Sequence, residues 1–151
     1  MTEVSCFDRA VKLLSVRTHF ELELRSKLSQ RGYPPSEVDG AIERCRDYGY
    51  LDDTKAALEF ARTKRARSGW GRKKLEAELR RRGVSGSALI EALEEEGDDD
   101  ELQRALEVAE KAARRRDDRE SIARHLSRRG FGTRVILTVL ERRGFSGDEG
   151  S

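Results

Sequence analysis

The chain has 151 residues, 40% of them charged and 6% aromatic. So little apolar material excludes one thick core and suits one domain or a short row of thin-cored helical units. The net charge is only +2 and the two cysteines show no metal or redox spacing, so no disulfide framework, metal or cofactor is expected.

Residues 4–16 read as a first helix, with Phe7, Ala10, Val11, Leu13 and Leu14 on one face and Arg17 at its end. Thr18-His19-Phe20-Glu21 has the form of a capping box, and a second helix is expected over 19–31 with Phe20, Leu24 and Leu28 inward. Pro34-Pro35 turns the chain and starts a third helix, lined by Val38, Ile42 and Cys45. Gly49 suits the residue after that helix, which pairs Cys45 with Tyr50 across the cap. Asp52 or Asp53 then caps helix four, where Ala57, Leu58, Phe60 and Ala61 are apolar. Gly69-Trp70-Gly71 follows as a turn enclosed by cations. It lacks P-loop spacing, and Trp70 is read as a packing residue or a contact to nucleic acid. Helix five carries Leu75 and Leu79, and helix six carries Leu89, Ile90 and Leu93. Gly97 is expected to close helix six without an apolar clasp, and Asp98-Asp99-Asp100-Glu101 reads as a hinge and an acidic cap. The last unit has Ala105, Leu106, Val108 and Ala109, then Ile122 and Leu126, then Val135, Ile136, Val139 and Leu140.

A repeat emerges from this series. Leu28-Ser29-Gln30-Arg31-Gly32-Tyr33, Leu79-Arg80-Arg81-Arg82-Gly83-Val84 and Leu126-Ser127-Arg128-Arg129-Gly130-Phe131 share the form Leu-x-x-Arg-Gly-apolar. With each glycine at C′, the leucine and the last apolar residue occupy C3 and C″, the pair that meets in a Schellman cap. The three glycines are 51 and 47 residues apart and their flanking apolar positions are in phase. Arg143-Gly144-Phe145 repeats the stop, with Leu140 opposite Phe145. The expected fold is all-α: three tandem three-helix repeats over 4–51, 52–97 and 98–145 in an elongated, curved array, with a disordered tail at 146–151. Gly32, Gly49, Asp52, Asp53, Gly83, Gly130 and Gly144 are its structural caps.

The small net charge hides a segregation. Residues 62–82 hold ten lysines and arginines against Glu76 and Glu78, a net +8, while 94–101 hold seven acids and no base. A basic block implies a polyanion or an acidic protein face as partner. The candidate contact residues are Arg62, Lys64, Arg65, Arg67, Trp70, Arg72, Lys73, Arg81 and Arg82, extended by Arg114, Arg115, Arg116, Arg124 and Arg128. His19 and His125 have no visible partner pattern, and no convergent nucleophile or carboxylate motif accompanies them, so no catalytic residue is assigned. No run approaches transmembrane length and no leader opens the sequence, so a cytoplasmic protein without membrane contact is expected.

Through Gly49-Tyr50-Leu51-Asp52-Asp53, the Gly69-x-Gly71 turn, residues 79–84 and Arg128-Arg129-Gly130-Phe131, the chain resembles the RecX family of regulatory proteins. That resemblance implies three tandem three-helix repeats; a monomer without enzymatic activity is the expectation beside it. The resemblance further implies binding to RecA recombinase–DNA filaments that curbs filament growth, ATP hydrolysis, strand exchange and coprotease activity in DNA repair, recombination and the SOS response. Direct DNA binding, single- or double-stranded, is a secondary expectation. The rival readings are a free-standing DNA-binding helical module and a protein-only adaptor that docks acidic partners on its basic face.

Overall fold

Helix stops set the observed architecture. The computed structural model describes residues 4–144. Among them are nine helices and no strand: α1 (Cys6–Val16), α2 (Glu21–Gln30), α3 (Pro35–Asp47), α4 (Asp53–Ser68), α5 (Arg72–Arg81), α6 (Gly86–Glu94), α7 (Asp98–Ala113), α8 (Arg119–Arg128) and α9 (Thr133–Arg142). No described helix is long and apolar enough to cross a membrane. Gly32, Gly83 and Gly130 sit at φ +94°, +91° and +95°, the left-handed region that disfavours a side chain. Around each, the residue after the glycine donates its amide to the leucine carbonyl five positions back: Tyr33 to Leu28 at 3.4 Å, Val84 to Leu79 at 2.9 Å, Phe131 to Leu126 at 3.1 Å. Gly49 follows the same scheme, with Tyr50 donating to Cys45 at 2.8 Å. There the apolar clasp is absent: the Tyr50 ring turns outward onto Tyr48, centroids 5.4 Å apart, and Leu51 is buried in its stead. Gly144 has φ +89°, whereas Phe145, its pairing with Leu140 and the tail lie outside the described residues.

Two compact units result. One takes the described residues up to Glu59 together with Leu79–Ala92; the other takes Phe60–Glu78 and the described residues from Leu93 onward. The first is centred on Ala10, Leu24, Leu28, Ile42 and Cys45, and the second on Ala105, Ala109, Ile122, Leu126, Val139 and Leu140. Cys6 and Cys45 are buried free thiols, and burial pushes both thiols up in pKa. Ile90 departs from the expected inward set and is exposed; the buried stripe of α6 is Leu89, Ala92 and Leu93.

Helix starts differ from the local reading. Thr18 does not cap α2. Phe20 holds the N-cap position without a side-chain bond, and the Glu21 amide donates to Asp53 Oδ1 at 2.9 Å. Glu21 instead points its carboxylate at Arg25 and Arg46. Asp52 caps its own helix by accepting from the Lys55 amide at 3.2 Å, so the two adjacent aspartates serve two different helices. The device recurs in the second unit, where the Arg72 amide that opens α5 donates to Glu101 Oε2 at 2.8 Å. Gly97 does not close α6. It has φ −80° and is the N-cap of α7, whose first turn is Asp98 to Glu101, so these acids are helical rather than a loop. Negative charge there complements the positive helix end.

His19 is the buried polar residue of the first unit. Its Nδ1 lies 2.9 Å from the Arg17 carbonyl and its Nε2 lies 2.9 Å from Lys27 Nζ. Both contacts are satisfied by the neutral tautomer with its proton on Nδ1, since the ammonium can only donate. Burial holds the His19 pKa below its ordinary value. The Arg17 carbonyl and Glu23 oppose that shift, and the Arg17 and Lys27 charges add to it. The unfolded chain therefore binds this proton more readily than the folded one. The contribution is intact above the unfolded value of about 6.5 and is lost as pH falls below it. His125 titrates in the same direction. The urea midpoint is expected to drop between pH 7.5 and pH 5.5 (roughly one unit to either side of that value), with a shallower drop in His19→Gln. Identical pH slopes in the two proteins would exclude His19 as a source.

Candidate polyanion-binding groove

The cationic and acidic blocks fold against each other within the second unit. Arg62 binds the Glu95 carboxylate through Nε at 2.7 and 2.9 Å. Arg72 reaches the Leu93 carbonyl at 3.4 Å and stands 3.9 Å from Glu94. Arg65, its side chain only 9% exposed, faces Glu96 at 3.5 Å and donates to the Leu93 carbonyl at 3.3 Å. Burial pulls the Arg65 guanidinium below its usual pKa, while Glu96 pulls it up. Arg104, which the sequence reading did not single out, completes the cluster by an ion pair to Glu96 and a bond from its Nε to the Trp70 carbonyl at 3.0 Å. Of the expected contact residues, Arg62, Arg65 and Arg72 therefore have carboxylate partners inside their own unit.

Trp70 is half-buried, edge-on to Phe60 at 6.0 Å, with the Lys64 and Lys74 ammoniums 4.9 and 4.7 Å from its ring centre. Gly71 docks on the α8–α9 turn: its amide donates to the Arg129 carbonyl at 2.7 Å, and Lys73 donates to the Gly130 carbonyl at 2.9 Å. A Cβ on Gly71 would lie 2.6 Å from the Gly130 oxygen. The Gly-Trp-Gly turn is thus a packing joint: that close approach explains Gly71, and Gly69 has φ +63° with a Cβ that would lie 2.7 Å from Val108 Cγ2. Lys73 and Arg67 are exposed. Arg81 ends α5, Arg82 follows it, and both belong to the first unit.

Four of the outlying candidates converge. Arg115 and Arg116, just past the end of α7, and Arg124 and Arg128 on α8 line one groove of about 340 Å³ with Ser121 and His125. Ser121, Arg124, His125 and Arg128 lie at i, i+3, i+4 and i+7, which places them on one stripe of the helix. That spacing was available in the sequence, but His125 and Ser121 were not read as part of it. Arg114 caps α7 and does not line the groove. Burial lowers the pKa of His125, and the Arg129 and Arg128 charges lower it further. A second cavity of about 220 Å³ on the other side of His125 holds Arg67, Lys111 and Arg129, with Glu107 among them.

Comparisons with known proteins bear on the whole chain. The family model described as RecX, first three-helix domain, matches residues 6–45, and that described as RecX, second three-helix domain, matches residues 52–93. The chain is 35% identical over 135 residues to the regulatory protein RecX of Deinococcus radiodurans, covering 87% of this chain and 64% of that protein. Against the regulatory protein RecX of Bacillus licheniformis it is 28% identical over 151 residues and spans 57% of that protein's length. With the regulatory protein RecX of Pseudomonas savastanoi pv. phaseolicola it shares 35% identity over 147 residues, covering 95% of this chain and 94% of the other. The crystal structure of RecX from Lactobacillus salivarius has the same fold, with a TM-score of 0.82 at 22% identity over 91% of this chain and 93% of that one.

Proposed function

Because this chain belongs to the RecX family of regulatory proteins, we propose that it is a non-enzymatic, cytoplasmic regulator that binds RecA recombinase–DNA filaments as a monomer and curbs filament growth, ATP hydrolysis, strand exchange and coprotease activity. The observation that carries this reading is the pair of family-model matches, which together take in more than half of the chain. We assign three successive helix triplets, 4–51, 52–97 and 98–145, as the units that meet the filament. A series of helical units offers a long contact surface to a helical track.

The cations assigned to that contact are Lys64, Arg67 and Lys73 from α4 and α5, together with Arg114, Arg115, Arg116, Arg124 and Arg128. Arg81 and Arg82 serve the same partner from the first unit. Arg62, Arg65, Arg72 and Trp70 are assigned to holding the second unit together, through Glu95, Glu96, Glu94 and Phe60 respectively.

The test adds the purified protein to preformed recombinase filaments on single-stranded DNA and follows ATP hydrolysis alongside filament length. Hydrolysis is expected to fall and filaments to stop lengthening. Unchanged hydrolysis and length at saturating protein would sink the reading.

A further inference from the structure

Most charge in the second unit is compensated locally, but the groove along α8 holds a surplus of positive charge: Asp118, the exposed N-cap of that helix, feels Arg124 from outside the groove lining. Four guanidiniums line it, no carboxylate does, and none of Arg115, Arg116, Arg124 and Arg128 makes an ion pair with a described residue. Arg124 donates to Ser121 Oγ at 3.3 Å, and the groove otherwise leaves these donors facing open space. Converging like charges repel, and an anion seated among them relieves that repulsion.

We propose that this groove is the subsite that grips the phosphodiester backbone of nucleic acid, independently of base sequence. The inference deepens the family reading and rests on it for the biological partner. Guanidinium forks match phosphate oxygens bidentately, the contact that positions a nucleic-acid backbone without reading its bases. From Ser121 to Arg128 the stripe runs about 10 Å along the helix. One strand presents a phosphate roughly every 3.4 Å of axis, so the stripe meets two or three.

An acidic protein face fits less well. The apolar lining of the groove is Ala112 and Ile122, and Ile122 is fully buried. Protein hot spots are built on aromatic or aliphatic anchors in desolvated pockets, whereas nucleic-acid interfaces are polar and strongly positive.

The test titrates full-length protein against fluorescein-labelled oligothymidylate and a mixed-sequence duplex by anisotropy, at low and moderate salt. Arg124→Glu/Arg128→Glu is expected to lose more than tenfold in affinity for both probes, and the slope of log affinity against log salt should fall by about 1 per lost phosphate. Arg124→Gln/Arg128→Gln guards against misfolding, since glutamine is about as good a helix former as arginine and adds no charge to α8. It should retain the wild-type melting curve and lose about tenfold in affinity, the equivalent of roughly 1.4 kcal/mol. Lys12→Glu/Lys55→Glu, a matched charge change on residues that do not line the groove, should stay within about threefold.

Groove variants that bind like wild type, or control variants that lose as much, overturn the proposal. Filament assays separate it from the family reading. If wild type curbs hydrolysis while groove variants still bind oligonucleotide normally, the groove assignment falls alone. If groove variants lose oligonucleotide and wild type leaves hydrolysis untouched, the proposed recombinase regulation falls and the groove stands.

Discussion

Gly130→Ala is expected to destabilise this protein by about 3 kcal/mol or more, while Gly32→Ala, at the same place in the sequence repeat, costs about 1–2. Both glycines have φ near +95°, so both substitutions carry the left-handed penalty. Their surroundings separate them. A Cβ on Gly32 meets nothing within 4 Å. On Gly130 it would lie 2.5 Å from the Lys74 backbone nitrogen and 2.3 Å from Lys74 Cβ. Backbone cannot step aside as a side-chain tip can, and Lys74 belongs to the joint in which Gly71 binds the Arg129 carbonyl and Lys73 binds the Gly130 carbonyl. Gly83 is intermediate: its Cβ would stand 3.0 Å from Leu22 Cβ, against an exposed side chain that has room to give. For a chain of this size about 3 kcal/mol lowers the melting temperature by roughly 6–12 °C. Thermal melts should therefore rank the alanine variants Gly130, Gly83, Gly32 from most to least damaging. Three equal losses would mean that left-handed strain alone decides and that the joint contributes nothing.

That ranking shows where sequence reading stops. The stops at Gly32, Gly83 and Gly130 were legible because a Schellman cap is local: one glycine, one leucine and one apolar residue within six positions. What packs on each glycine is not local, and the sequence repeat hides the difference. Helix starts show the same limit. Thr18 and Glu21 have the right spacing for a capping box, yet the cap of α2 is Asp53 and that of α5 is Glu101, each about thirty residues away. Ile90 misled for a geometric reason. It follows Leu89 in sequence but lies about 100° round the helix from it, and Ala92, too small to stand out as apolar, occupies the buried stripe.

The charge pattern was legible as composition and silent as structure. A +8 block beside a −7 block reads as one free basic surface, but the fold places Glu94, Glu95 and Glu96 against Arg72, Arg62 and Arg65. The α8 stripe was within reach: Ser121, Arg124, His125 and Arg128 share one face by spacing alone. No periodicity indicates that Arg115 and Arg116, beyond the end of α7, close the same groove.

Glu96→Gln is the second large effect, expected to cost about 3–5 kcal/mol, the usual loss when one member of a buried ion pair is removed. The Glu96 carboxylate serves two guanidiniums, Arg65 and Arg104, whose side chains are 9% and 10% exposed. Glutamine keeps the size and one acceptor oxygen but removes the charge, leaving two buried cations facing each other. Glu95→Gln is the control, because its partner Arg62 is 62% exposed and an exposed pair contributes about 1 kcal/mol or less. If burial of uncompensated charge is the cause, Arg104→Met in the Glu96→Gln background should recover part of the loss, a coupling that a double-mutant cycle in urea measures directly. Equal destabilisation by Glu95→Gln and Glu96→Gln would place the effect at the surface instead. Oligonucleotide binding adds a second discriminator. Acids that merely competed with nucleic acid for the arginines would, on neutralisation, raise affinity in a protein that stays folded. Acids that hold the second unit together release no usable site, and Glu96→Gln should lose structure without gaining affinity.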